Sequence, residues 1–223
     1  MLDAITLEPN QTATACVIWL HGLGDSGAGF APIVPELNLP NQHRVRFIFP
    51  HAPICPVTLN QGQRMRAWYD IKTMDLANRA DEVGVVESVE LVNGLIAEQL
   101  ALGITAEQIV IAGFSQGGVV ALHLACRSQH TFAGVLAMST YLCQGNKLGQ
   151  EKTPANLNTP IAFQHGQYDE VVPMQAAKQA RQTLQEHGFN TQWQVYPMPH
   201  SVCHKQIADI SQWLQQRLAS AMQ

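Results

Sequence analysis

The sequence predicts a single α/β domain over residues 1–223, with a mostly parallel central sheet and helices on both of its faces. Three observations carry this. Apolar runs of strand length alternate with longer segments of helical period, the rhythm of βαβ units. The inner runs are rich in Val, Ile and Leu, as strands buried on both faces require. Finally, 223 residues that are 46% hydrophobic and only 13% charged can fill one large core without a linker.

Strands are expected at Ala4–Leu7, Ala15–Leu20, Val45–Phe49, Ile109–Phe114, Gly134–Met138, Ile161–Gln164 and Gln192–Tyr196, the first of them at an edge. Helices are expected over Phe30–Leu37, Glu82–Ala101, Gln116–Cys126, Met174–His187 and Val202–Ala219. In the second of these, Val85, Val89, Val92 and Ile96 recur at helical spacing and form a core-facing stripe. The stretch from Pro50 to Ala80 fits neither period and carries Pro53, Pro56, Gly62, Trp68 and Tyr69. Long irregular segments in compact domains often form lids or pocket walls, so its aromatic residues are read as a substrate wall.

Composition excludes several classes. A net charge of −4 and the lack of a basic stripe give no electrostatic reason to bind nucleic acid. No apolar run is long enough to span a bilayer, and the first residues lack a basic start followed by an apolar stretch, so a cytoplasmic protein without integral membrane association is expected. Five scattered cysteines, Cys16, Cys55, Cys126, Cys143 and Cys203, form no C-x-x-C pair and fit a reducing compartment. His200, Cys203 and His204 cluster, but no second ligand group accompanies them, and no metal is expected.

Chemistry concentrates at Gly113-Phe114-Ser115-Gln116-Gly117-Gly118, directly after the run Ile109–Ala112 and before an apolar helix. A serine at such a strand-to-helix corner is held in a strained conformation that lifts its hydroxyl above the sheet, and tiny residues two before and two after let the backbones pass. Gly113 and Gly117 meet that demand. The helix that follows points its free N–H groups and dipole at the serine, favouring a developing negative charge.

A serine hydroxyl needs a base, and the base needs a carboxylate to fix its tautomer. Where the nucleophile occupies such a corner, the acid and then the histidine follow it in the chain. His123 lies in the helix after the serine, His130 precedes any suitable acid, and His187 sits at a helix end. His200 follows a strand in the turn Pro197-Met198-Pro199, on the side where loops converge, with His204 as its runner-up. Between Ser115 and His200 the only aspartate is Asp169, just past the strand Ile161–Gln164; a helix cap ahead of Val171-Val172-Pro173 is its competing reading. The loop His21-Gly22-Leu23-Gly24-Asp25 after the strand Ala15–Leu20 is placed to complete an oxyanion hole. Its donors are assigned to the backbone N–H groups of Leu23 and Gln116. It has neither the G-x-G-x-x-G pattern nor a Walker lysine that would mark a phosphate cradle.

These motifs resemble the acyl-protein thioesterase and small carboxylesterase group of α/β-hydrolases, also labelled phospholipase/carboxylesterase, over nearly the whole chain. The resemblance is carried by Leu20–Gly27, Pro50-His51-Ala52-Pro53, Pro56–Asn60, Trp68-Tyr69-Asp70-Ile71, Gly113–Gly118, His165–Asp169 and Pro199-His200-Ser201. It implies an α/β-hydrolase fold, the triad Ser115, Asp169 and His200, and the oxyanion donors Leu23 and Gln116, in agreement with the elimination above. Arg79-Ala80-Asp81-Glu82 resembles the bacterial branch of the group. Where eukaryotic thioesterases of the group carry a tryptophan, this chain has Tyr141, which implies a smaller or more polar acyl channel.

The expected activity is that of a carboxylesterase acting on small-molecule esters and thioesters through an acyl-enzyme intermediate, without a metal or organic cofactor. Trp68, Ile71, Met74, Leu76 and Tyr141 are the expected acyl-facing wall. An acyl-protein thioesterase or lysophospholipase is the alternative within this class. A ligand receptor on an inactive hydrolase scaffold is the alternative outside it, and it requires a missing triad member. Exposed apolar surface around the channel would support a homodimer.

Overall fold

A computed structural model of the chain describes residues 2–73 and 80–223. Seven strands form the main sheet: β1 (Ala4–Leu7), β2 (Ala15–Leu20), β3 (Val45–Pro50), β6 (Ile109–Phe114), β7 (Gly134–Met138), β8 (Ile161–Gly166) and β9 (Thr191–Tyr196). Between β3 and β6 lie a separate hairpin of β4 (Ile54–Val57) and β5 (Gln63–Arg66), and the long helix α3 (Glu82–Ala101). The other helices are α1 (Gly27–Phe30), α2 (Ile33–Glu36), α4 (Gln116–Arg127), α5 (Leu148–Glu151), α6 (Met174–Glu186) and α7 (His204–Arg217).

The strand order is β1-β3-β2-β6-β7-β8-β9; β1 runs antiparallel at one edge and every other pairing is parallel. The chain therefore winds outward from β2 first towards β3 and then, from β6, in the opposite direction. The register Leu20↔Gly113 sets the carboxyl ends of β2 and β6 side by side at that reversal. In open α/β sheets this crevice is where ligands bind.

Period-2 alternation divides the core. Cys16, Ile18 and Leu20 face one helical layer with Ile109, Ile111, Val135 and Ala137, and against them pack Val85, Val89, Val92 and Ile96 of α3 and the apolar side chains of α4. Ala15, Val17 and Trp19 face the other layer with Val110, Ala112, Leu136 and Met138, beneath Ile33 of α2 and Ile210, Trp213 and Leu214 of α7. α3 starts at Glu82 as expected, and the Asp81 carboxylate caps it by accepting the Gly84 N–H at 3.3 Å.

Two expectations are corrected. The helix expected over Phe30–Leu37 is two single turns, α1 and α2, because Pro32 between them has no N–H to continue the first turn, whereas Pro35 sits in the first turn of α2, where none is needed; Ser26 caps α1 by accepting the Ala28 N–H. The excursion from Pro50 to Ala80 is not wholly irregular, since it contains the β4–β5 hairpin and an Ile71↔Ala80 bridge. It is also tied down, Thr58 donating its N–H and hydroxyl to Asp70 at 2.7 and 2.6 Å.

Burial of His123 within α4 pushes its imidazole down to about 4. The unfolded chain takes up that proton near pH 6.5, so the stability associated with the neutral ring is complete above that pH and is lost as pH falls to 4. The full loss is about 3 kcal/mol. Denaturant midpoints measured between pH 7 and 4 are expected to fall, and His123→Leu to flatten that slope; an unchanged slope in the variant contradicts the assignment.

Candidate active site

Ser115 turns the corner between β6 and α4 at φ 54° and ψ −116°, a conformation that costs a non-glycine residue about 1–3 kcal/mol and persists only when neighbours over-determine it. They do. Its N–H donates to the Met138 carbonyl at 2.8 Å, and its own carbonyl accepts from Thr140 Oγ1 at 2.8 Å and from the Gly118 N–H at 3.0 Å. A Cβ on Gly113 would lie 2.3 Å from the Gly117 oxygen, and one on Gly117 would lie 2.4 Å from the Leu20 oxygen. The corner exists because both positions are glycine.

Asp169 stands three residues beyond β8 and His200 four beyond β9. His200 Nδ1 donates to Asp169 Oδ2 at 2.7 Å, while Asp169 Oδ1 accepts the N–H groups of Val171 and Val172 at 3.0 and 2.8 Å. Asp169 thus caps the Val171–Val172 turn with one oxygen and pairs with His200 through the other; it does not cap a helix, since α6 begins at Met174 behind Pro173. Burial alone would raise the Asp169 pKa; the His200 bond and the Val172 N–H outweigh it and hold the carboxyl below its usual range. A carboxylate can only accept, so the Nδ1 proton is fixed and Nε2 is left as the basic nitrogen of the His200 ring. His204, the runner-up, is exposed beside Glu36 and stays away from this pair.

Ser115, Gln116, Leu23 and His200 line one cavity of about 230 Å³, together with Gly22, Asp25, Phe114, Tyr69, Ile71, Tyr141, Val171 and Val172. The Phe114 and His200 rings pack at 4.7 Å. Gln116 opens α4, so its backbone N–H is one of those that no helical carbonyl can take. Its side chain is spent otherwise: Oε1 accepts the Trp68 N–H at 2.8 Å and Nε2 donates to the Tyr69 carbonyl at 2.6 Å. The loop bearing Leu23 is held by His21, whose Nε2 accepts the Ala52 N–H at 3.0 Å and whose Nδ1 therefore donates to the Gly22 carbonyl at 2.6 Å. Burial lowers the His21 pKa and keeps that tautomer neutral.

Of the expected acyl wall, Ile71 and Tyr141 line the cavity. Trp68 does not: it is buried behind the lining, with Nε1 donating to the His21 carbonyl at 2.9 Å, because its N–H and indole are drawn onto Gln116 and the loop that begins at His21. Met74 and Leu76 lie outside the described residues. Val171, Val172 and Phe114 were not singled out from the sequence, although the first two follow Asp169 almost directly. His165, read only as part of the His165–Asp169 motif, has a bracing role: its Nε2 donates to the Val172 carbonyl at 2.8 Å and so steadies the turn that Asp169 Oδ1 caps. All five cysteines are free. Among the described residues no three metal-ligating side chains gather, and no helix is long and apolar enough to cross a membrane.

A mostly parallel sheet, a strained serine where β6 meets α4 and later strand ends that converge on it define an α/β-hydrolase. The chain belongs to the phospholipase/carboxylesterase family, whose model matches residues 2–218. It is 38% identical to an acyl-protein thioesterase 1 of Neurospora crassa over 92% of this chain and 87% of the relative. It is 33% identical to a probable carboxylesterase of Oryza sativa subsp. japonica, over 93% and 79%. The crystal structure of Arabidopsis thaliana SOBER1 superimposes with a TM-score of 0.85 at 32% identity, covering 92% of this chain and 99% of that one. The chain is thus a hydrolase of this family, and these three relatives are eukaryotic.

Proposed function

We propose that the protein is a carboxylesterase that cleaves small carboxylic esters and thioesters with Ser115, Asp169 and His200 as its triad. The observation that supports this most is the 2.7 Å bond from His200 Nδ1 to Asp169 beside a cavity that Ser115 and His200 both line. In this reading His200 Nε2 takes the proton of Ser115 as its oxygen attacks the carbonyl carbon. The Leu23 and Gln116 N–H groups hold the oxyanion, and His200 then protonates the departing alkoxide or thiolate. Water attacks the acyl-enzyme by the reverse proton route and frees Ser115. A thiol leaving group, with a pKa near ~8.5, departs with little acid assistance, so thioesters fall within reach of the same machinery.

The acyl-protein thioesterase names of the fungal relatives make lipidated proteins the second substrate class to consider, and the limited cavity favours the small-ester reading. A bacterial origin rests on the Arg79–Glu82 resemblance, of which Arg79 lies outside the described residues. A cytoplasmic location and a homodimer, formed through apolar surface such as the exposed Val171 and Tyr168, complete the proposal. Stopped-flow hydrolysis of a short-chain p-nitrophenyl ester and of its matched thioester tests it. Both substrates are expected to turn over, with a burst of one leaving group per protein chain; turnover of neither would make the chain a receptor on a hydrolase scaffold.

A further inference from the structure

Tyr141 lines two cavities at once. One is the 230 Å³ pocket that holds Ser115; the other, of about 540 Å³, runs between Leu142, Gly145, Ala176, Ala180 and Thr183. Tyr141 and Tyr69 are both buried, and their hydroxyls meet at 3.1 Å. We infer that this pair of phenols is a partition that ends the acyl subsite and restricts the enzyme to short acyl groups, an inference that rests on the esterase reading above.

The partition is anchored to the nucleophile turn from both sides. The Tyr69 carbonyl takes the Gln116 Nε2 proton at 2.6 Å, and the preceding Trp68 N–H is held by the same side chain. The Trp68 carbonyl is held in turn by the Ser88 hydroxyl. On the other side Thr140, next to Tyr141, donates its hydroxyl to the Ser115 carbonyl at 2.8 Å. The position of the phenols relative to Ser115 is therefore set by hydrogen bonds to Ser115 and Gln116 themselves, and an acyl chain heading for the second cavity must pass them.

Size gives the cut-off. A dry cavity of roughly 150 Å³ accommodates benzene, so a 230 Å³ pocket that must also take the ester group suits acyl chains of about six carbons or fewer. Within it each methylene that finds apolar lining from Leu23, Ile71, Val171 and Val172 raises kcat/KM by about fourfold. Beyond the phenols that gain stops. Removing the Tyr141 ring joins the two cavities and gives a longer chain a path to Leu142, Ala176 and Ala180.

The test is kcat/KM for p-nitrophenyl esters from acetyl to dodecanoyl, for the native protein, Tyr141→Ala and Tyr141→Phe, with active sites counted by a fluorophosphonate probe. The native protein is expected to peak at butanoyl or hexanoyl. Tyr141→Ala is expected to raise the decanoyl-to-butanoyl ratio by about tenfold or more, and Tyr141→Phe, which keeps the ring and loses the hydroxyl bond, by less. A native preference for decanoyl over butanoyl overturns the partition even if Tyr141→Ala does not fold, as does an unchanged ratio in a Tyr141→Ala protein that labels normally. Failure of the esterase reading is distinct: native turnover would then be absent for every ester, or would persist in Ser115→Ala.

Discussion

Ser115→Ala will lower kcat for a short-chain ester by about five to six orders of magnitude. Alanine keeps the Cβ that the corner already accommodates and cannot relax φ 54° any more than serine can, so the fold and the cavity should survive the change. What disappears is the only oxygen at the corner able to form an acyl-enzyme. Any residual rate over water is expected to come from the proposed oxyanion donors and binding alone. Measurement needs protein purified apart from any host esterase, with thermal unfolding run alongside; a variant that retains a tenth of native activity ends the assignment of Ser115.

Asp169→Asn should cost about four orders of magnitude in kcat for a different reason. Oδ1 of Asp169 accepts two N–H groups, from Val171 and Val172, so the carbonyl oxygen of an asparagine must stay on that side. Its NH2 group then faces His200 Nδ1, which is left as an acceptor and drives the ring proton onto Nε2. The base would be lost without any change of shape. Crystals of the variant should show the ring unmoved while activity collapses; near-native kcat with an unmoved ring would mean that the tautomer of His200 is not what Asp169 controls.

The sheet was readable from the sequence because its inner strands are buried on both sides. Runs such as Ala15–Leu20 and Ile109–Ala112 have no solvent face and therefore no polar residues to blur them. α3 was readable because Val85, Val89, Val92 and Ile96 face the core at helical spacing. The β4–β5 hairpin was not, since half of its residues, Ile54 among them, are exposed and Pro56 argues against a strand, leaving no apolar alternation to detect. The split of the Phe30–Leu37 segment turns on Pro32, whose apolar neighbours still repeat at helical spacing.

At the site, Ser115, Asp169 and His200 stood out because each lies just past a strand end and few other residues of their types compete. Trp68 was misplaced because an aromatic in a long loop looks alike whether it walls a pocket or braces one. The bracing itself, Gln116 to Trp68 and Tyr69, and His21 to Ala52, joins side chains to backbone groups 31 to 48 residues away. Such contacts depend on how loops fold back over the sheet, and residue type alone carries no trace of them.

The central claim, that one serine at the β6–α4 corner carries covalent catalysis, is tested most directly by locating the covalent bond. After reaction with a fluorophosphonate and proteolysis, mass spectrometry should find a single adduct on the peptide containing Ser115 in the native protein, and no adduct in Ser115→Ala. An adduct on another residue, or an unlabelled Ser115 in protein that is turning over ester, would contradict the account.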